Sequence, residues 1–176
     1  MEPGTCENGT IYSHLNVWMM LGLLRYGMAD RALDLFHANV TGDLSDEEDL
    51  KRNVSPFMVS NCYFGPDHRN NAFQMEFTWI TGSLAWFNIV MLRDMLGVQP
   101  EYGGLRISPC LPSTWTEVSV EREYRGATYT IRFHNPNKTR SNAISLSVDG
   151  QLLQGDLIPA FKDGKKHQVE VTFRPA

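Results

Sequence analysis

Thr128-Tyr129-Thr130-Ile131-Arg132-Phe133 alternates polar and apolar side chains at a period of two, the pattern of a half-buried β-strand. The alternation extends outward from it. Asn135-Pro136-Asn137 interrupts the chain, and Ile144, Leu146 and Val148 then make a second strand closed by Asp149-Gly150, a hairpin-turn pair. Asp163-Gly164 is a second such pair, and His167, Val169, Val171 and Phe173 alternate behind it. In the other direction the pattern changes before Gly104, where apolar residues recur at helical spacing. Ser13 can cap a helix running to Tyr26 with Gly27 as its stop, and Asp30 a second one with Ala32, Leu33, Leu35 and Phe36 on one stripe. A third spans Ser83 to Leu96 and stops at Gly97, with Pro100 beyond. The expected fold is therefore a two-part α+β chain, helical over 1–104 and a small antiparallel β-sandwich over 105–176.

Composition narrows the function classes. The 176 residues are 42% hydrophobic, 11% aromatic and 20% charged, which excludes a disordered tail. Sixteen basic and 20 acidic residues give a net charge of −4, against a nucleic-acid partner. The apolar stretches Val17–Leu24 and Trp79–Leu92 fall short of the ~20 residues a bilayer needs, so no membrane association is expected. Met1-Glu2-Pro3-Gly4 shows no charged-then-apolar leader, and Cys6, Cys62 and Cys110 are odd in number without a CxxC pair. The expectation is a cytoplasmic chain with reduced thiols and no metal site. Asp43 to Asp49 reads as a solvated acidic loop.

The helix from Ser13 carries eight large apolar residues, Leu15, Val17, Trp18, Met19, Met20, Leu21, Leu23 and Leu24, distributed nearly all round. Such a helix is expected to be buried on every side. Leaving it half wet costs on the order of 10 kcal/mol, comparable to a whole domain's stability. Two further helices, one amphipathic, cannot wrap it, so the chain is expected to be part of something larger. Trp18, Trp79, Trp86 and the Met19-Met20 pair read as core packing, and Trp115 and Tyr124 as ties between the two parts.

Several stretches together carry a family resemblance. They are Pro3-Gly4-Thr5-Cys6-Glu7-Asn8-Gly9 with Tyr12 and His14, Gly65-Pro66, and Trp79-Ile80-Thr81-Gly82-Ser83 with Trp86. To these add Leu96 to Tyr102, Gly104-Leu105-Arg106-Ile107, Pro109-Cys110-Leu111-Pro112 and Arg125-Gly126-Ala127-Thr128-Tyr129. In this order and spacing the chain resembles the C-terminal portion of the glycoside phosphorylases of glycoside hydrolase family 94, the cellobiose and chitobiose phosphorylase type. The resemblance implies the last helices of an (α/α)6 barrel followed by a C-terminal β-sandwich. It implies inverting phosphorolysis of a β-linked gluco-oligosaccharide to α-glucose 1-phosphate, with inorganic phosphate as co-substrate, no further cofactor, and a homodimer when intact.

Such a reaction needs one general acid and an anion site on the opposite face of the sugar. By resemblance, His14, Thr81 and Gly82 bind phosphate, Asn61 falls near it, and Glu7 contacts the sugar. Thr81 and Gly82 immediately precede a helix, whose free N–H groups suit an anion. Read without the resemblance, His14 is a structural hydrogen-bonder, Thr81-Gly82 a capped helix start and Glu7 a solvated loop charge. Cys6 replaces the lysine that cellobiose phosphorylases carry there, which argues against cellobiose as substrate. No aspartate here fits the family's general acid, which lies upstream, so this chain alone is expected to be inactive and to hold no catalytic residue. The alternatives are the phosphorylase-like end of a cyclic β-1,2-glucan synthase and a non-catalytic carbohydrate-binding module.

Overall fold

A computed structural model describes residues 1–40, 57–77, 82–139 and 143–174. The acidic stretch 43–49, Trp79 and Thr81 lie outside the described residues. The chain divides into two compact units, one of residues 1–23 with 31–90, the other of residues 24–30 with 91–176.

The first unit is built on short strands and helices. Strands β1 (Ile11–Tyr12), β2 (Cys62–Tyr63) and β3 (Met75–Phe77) form an antiparallel sheet in the order β1-β2-β3. Helix α1 (Ser13–Arg25) follows β1 directly, α2 spans Ala29–His37 and α3 spans Ser83–Val90. Gly27, at φ +71°, ends α1 as expected. In α2, Ala32 and Leu33 turn inward while Arg31 and Asp34 face water, the expected single stripe. Asp30, the second residue of α2, belongs to the second unit, and within that unit its carboxylate accepts the Ser113 amide at 2.6 Å and hydroxyl at 2.9 Å. Val17, Met20, Phe87 and Val90 are fully buried, and Phe36 meets Phe87 edge-on at 5.7 Å.

The apolar surface of α1 departs from expectation. Leu15, Trp18 and Met19 are 54–60% exposed, and in α3 Leu84, Trp86 and Ile89 are 44–54% exposed. Trp18 and Trp86 are therefore not core residues here. A helix apolar all round needs neighbours on all faces, and among the described residues α1 buries Val17 and Met20 while Leu15, Trp18 and Met19 stay exposed.

In the second unit a π-helical turn at Met91–Met95, closed by Leu96 N–H to Met91 C=O, carries the third helix to its predicted stop at Gly97. Strand β4 (Val98–Glu101) pairs with β5 (Gly104–Ile107), which also pairs with β10 (Leu157–Pro159). A five-stranded sheet runs β6 (Glu117–Tyr124), β7 (Ala127–His134), β11 (Lys166–Phe173), β8 (Ile144–Val148) and β9 (Gln151–Leu153). The two sheets share one core. Leu105, Ile107 and Ile158 come from the smaller and Tyr129, Ile131, Phe133, Leu146, Val169 and Val171 from the larger, each 0–1% exposed. Trp115 and Tyr124 pack against this same core. Burial of each large apolar side chain contributes about 1.5–3 kcal/mol.

Two details differ from the antiparallel sandwich. The central β7–β11 pair is parallel, Lys166 opposite Thr128 through Thr172 opposite His134. Accordingly Asp163-Gly164 does not close a hairpin: β10 belongs to one sheet and β11 to the other. Asp149-Gly150 does join the β8–β9 hairpin. A parallel pair requires a long crossover, and here the chain makes it through β8, β9 and β10. Polar ties secure the smaller sheet, where Arg106 bridges Glu101 and Asp156 at 2.5–3.0 Å.

Candidate functional site

The site predicted from sequence falls in the first unit, where two helix N-termini meet. The Ser13 amide donates to the Asn61 carbonyl at 3.0 Å, fixing the start of α1 against the residue before β2. His14, next along, is half-buried. Its Nδ1 lies 3.0 Å from the Ser83 hydroxyl at the start of α3, and its Nε2 lies 3.7 Å from where a Cβ on Gly82 would stand. Gly82 accepts the Trp86 amide through its carbonyl at 3.2 Å and so occupies the cap position of α3. An imidazole carried on the first turn of α1 is thus held against the start of α3, the positive end of that helix. The Ser13 hydroxyl is fully buried and has no hydrogen-bond partner among the described residues.

Asn61 is brought here by its backbone. Its amide donates to Phe77 C=O at 3.2 Å, while its side-chain amide turns toward the Cys62 sulfur at 3.8 Å. Glu7 is exposed on the loop 3–9. That loop is folded by Gly4 N–H to Asn8 C=O at 2.8 Å and Asn8 N–H to Thr5 C=O at 2.9 Å. Gly65 locks it down. Its amide donates to Gly4 C=O at 2.8 Å, and a Cβ on it would stand 2.0 Å from the Gly9 oxygen, so no side chain fits. His68 closes the same seam, its Nδ1 accepting the Asn71 amide at 2.9 Å and its ring lying tilted against Phe64 with centroids 4.3 Å apart.

Sequence reading missed Glu76. Its carboxylate gathers the Cys6 thiol at 3.6 Å, the Cys62 thiol at 3.5 Å and the Thr10 hydroxyl. The cluster is assembled by pairing β2 with β3, and a lone acid in a three-residue strand gives no local signal. Burial, then the Glu76 charge, push the Cys62 thiol up to about 12. The Cys6 thiol and Tyr12 hydroxyl are raised by desolvation first, with Glu76 next for Cys6 and Glu7 for Tyr12. These thiols are protonated donors at neutral pH, not nucleophiles. Among the described residues no three His, Cys, Asp or Glu side chains form a metal-holding group.

Residues 1–97 match the family model described as the glycosyl hydrolase 94 superfamily, catalytic domain. The chain belongs to the glycosyl hydrolase 94 superfamily. Within it, this glycosyl hydrolase 94 chain is 34% identical over 169 residues to the solabiose phosphorylase of Paenibacillus borealis, covering 96% of itself and 22% of that protein. It is 33% identical over 170 residues to the N,N'-diacetylchitobiose phosphorylase of Vibrio proteolyticus, covering 97% and 21%. A cyclic beta-(1,2)-glucan synthase of Rhizobium meliloti is 29% identical over 147 residues, covering 82% of this chain and 5% of that protein. The glycosyl hydrolase 94 chain thus spans about a fifth of the length of the phosphorylases it matches. No helix among its described residues is long and apolar enough to cross a membrane.

Proposed function

We propose that this chain supplies the phosphate side of the active site of a cytoplasmic, inverting glycoside phosphorylase acting on β-linked gluco-oligosaccharides. The observation that carries the reading is His14, on the first turn of α1, held by Ser83 beside Gly82 at the start of α3. A phosphate dianion placed there would accept N–H bonds from the first turn of α3 and a charge-assisted bond from His14 Nε2. It would attack the anomeric carbon from the face opposite the leaving group, giving α-glucose 1-phosphate, while a general acid from outside this chain protonates the departing oxygen. Thr81 would add a hydroxyl to the anion site. Asn61 would set the α1 end of it, and Glu7, on the loop fastened by Gly65, would reach the sugar.

The same reading accounts for the apolar faces. Residues 1–104 would form the last helices of an (α/α)6 barrel, whose other helices cover Trp18, Met19, Trp86 and Ile89. Residues 105–176 would be the C-terminal sandwich. The phosphorylase names of relatives at 32–34% identity support this over the glucan-synthase reading, where the match is shorter.

The test is a phosphate titration of the 176-residue chain, followed by NMR at the His14 ring and Gly82 amide. Both signals are expected to move. His14→Ala is expected to weaken binding by about 10- to 100-fold, the worth of one charge-assisted bond. A titration that moves neither His14 nor Gly82 overturns the reading.

A further inference from the structure

We infer that the turn end of the second unit carries a glycan-binding platform, formed by Tyr102 and Phe161 and sharing no residue with the anion site. Three connections gather there. The β4–β5 turn Tyr102-Gly103 receives the Ala160 amide on the Gly103 carbonyl at 3.2 Å, and the β6–β7 turn Arg125-Gly126 receives the Gly164 amide on the Gly126 carbonyl at 2.8 Å. Tyr102 is 90% exposed and Phe161 is 41% exposed.

A single exposed aromatic is ordinary; two held in place are less so. The Arg125 guanidinium lies 5.1 Å from the Tyr102 ring centroid and 5.5 Å from that of Tyr124. The Phe161 amide donates to the Tyr129 hydroxyl at 3.2 Å, and that hydroxyl donates to the Pro159 carbonyl at 3.2 Å. The Phe161 ring stacks on His167 at 4.2 Å and 24°. The imidazole is in turn fixed at both nitrogens, Nδ1 to Asp149 at 2.7 Å and Nε2 to Asp163 at 3.2 Å. The Phe161 ring, fixed before binding, loses little entropy on binding, while Tyr102 is steadied by Arg125 alone.

The chemistry fits a pyranose chain. Sugars with equatorial hydroxyls present flat C–H faces that lie on aromatic rings, and their hydroxyls need donors and acceptors at the rim. Arg125 and Lys162 supply the donors here and Asp149 and Asp163 the acceptors. Two aromatic rings bury at most about 500 Å², half of the ~1,000 Å² a specific protein interface needs. The two carboxylates disfavour a phosphate backbone. The choice of a β-linked glucose chain rests on the functional reading above.

Cellotetraose titrated into the isotope-labelled 176-residue chain is expected to shift the amides of 102–103, 125–126 and 160–164. Tyr102→Ala and Phe161→Ala are each expected to weaken binding about tenfold, and Tyr102→Ala, at a site 90% exposed, leaves the fold intact. His14→Ala is expected to leave it unchanged. No shift at these amides up to about 10 mM, unaltered binding by Tyr102→Ala, or an equal response to maltotetraose overturns the inference. Phosphate in the same sample separates the two ideas. A chain that binds phosphate at His14 but no cellotetraose here sinks the platform alone, and the converse sinks the anion site alone.

Discussion

The two units treat their apolar residues in opposite ways. In the sheet unit Ile131, Phe133, Leu105 and Ile158 are sealed between two sheets, both provided by residues 98–173. In the helical unit, α1 and α3 bury Val17, Met20, Phe87 and Val90 but present Trp18, Met19, Trp86 and Ile89 to solvent. A sheet has one face to cover, and a second sheet covers it. A helix apolar all round has every face to cover. The lesson is that a period-two pattern announces a self-contained core, whereas an all-round apolar helix announces a need for more neighbours.

The sharpest test of that contrast is a pair of truncations. Phe133→Ala empties a fully buried site and is expected to cost about 3–5 kcal/mol. Trp18→Ala removes a larger but 56% exposed side chain and is expected to cost under about 1 kcal/mol, while reducing binding of a hydrophobic dye. Urea unfolding of both variants decides it. Equal losses would mean that Trp18 is covered in solution and that the helical unit closes on itself.

The sheet unit was the more legible from sequence because its signals are local. Alternation at 129–133, 144–148 and 167–173 marked three of its strands, and Asp149-Gly150 marked its hairpin. The parallel pairing of β7 with β11 was not legible, because it depends on where the chain returns after two intervening connections, and no residue pair advertises that. In the helical unit the extents of α1 and α2 followed from Ser13, Gly27 and one apolar stripe. His14, Gly82 and Asn61, far apart in sequence, are gathered in the structure around the starts of α1 and α3. The family resemblance is what singles them out, since a histidine beside a helix start is ambiguous by itself. Glu76 escaped notice because its meaning lies in three partners from 6, 10 and 62.

A second, smaller effect separates the units by pH. In the sheet unit, His167 is raised from 6.5, first by its bond with Asp149 and then by Asp163, against the opposing effect of burial. Asp149 is lowered from 3.8 mainly by His167, and Asp163 by the Lys165 amide before His167. A raised histidine contributes stability that is whole below 6.5 and is lost as pH climbs through the folded value. Lowered carboxylates contribute stability that is whole above 3.8 and is lost as pH falls through theirs. Melting temperature is therefore expected to plateau between those values and fall on both sides. His167→Gln is expected to flatten the alkaline limb, by an amount on the order of 1 kcal/mol because Asp149 is half exposed. An unchanged alkaline limb would mean that the imidazole is neutral throughout.

The smallest effect concerns thiol chemistry, and it again divides the units. At pH 8 a thiol whose pKa is about 12 is ionised in roughly one molecule in ten thousand, so Cys62 is expected to resist iodoacetamide until the chain unfolds. Cys6, half exposed, is expected to react slowly. Glu76→Gln removes the charge that is the second-largest cause at both sulfurs, so both thiols become more acidic and Cys6 alkylation is expected to quicken a few-fold. Cys110 provides the internal control. Its thiol donates to the Leu24 carbonyl at 3.5 Å and is raised by burial and by Asp30, with no share from Glu76. Mass spectrometry of the alkylated chain should therefore show Glu76→Gln changing the rate at Cys6 and not at Cys110. A parallel change at both would mean that the substitution loosens the whole chain rather than one carboxylate cluster, and the division into two units would lose its chemical support.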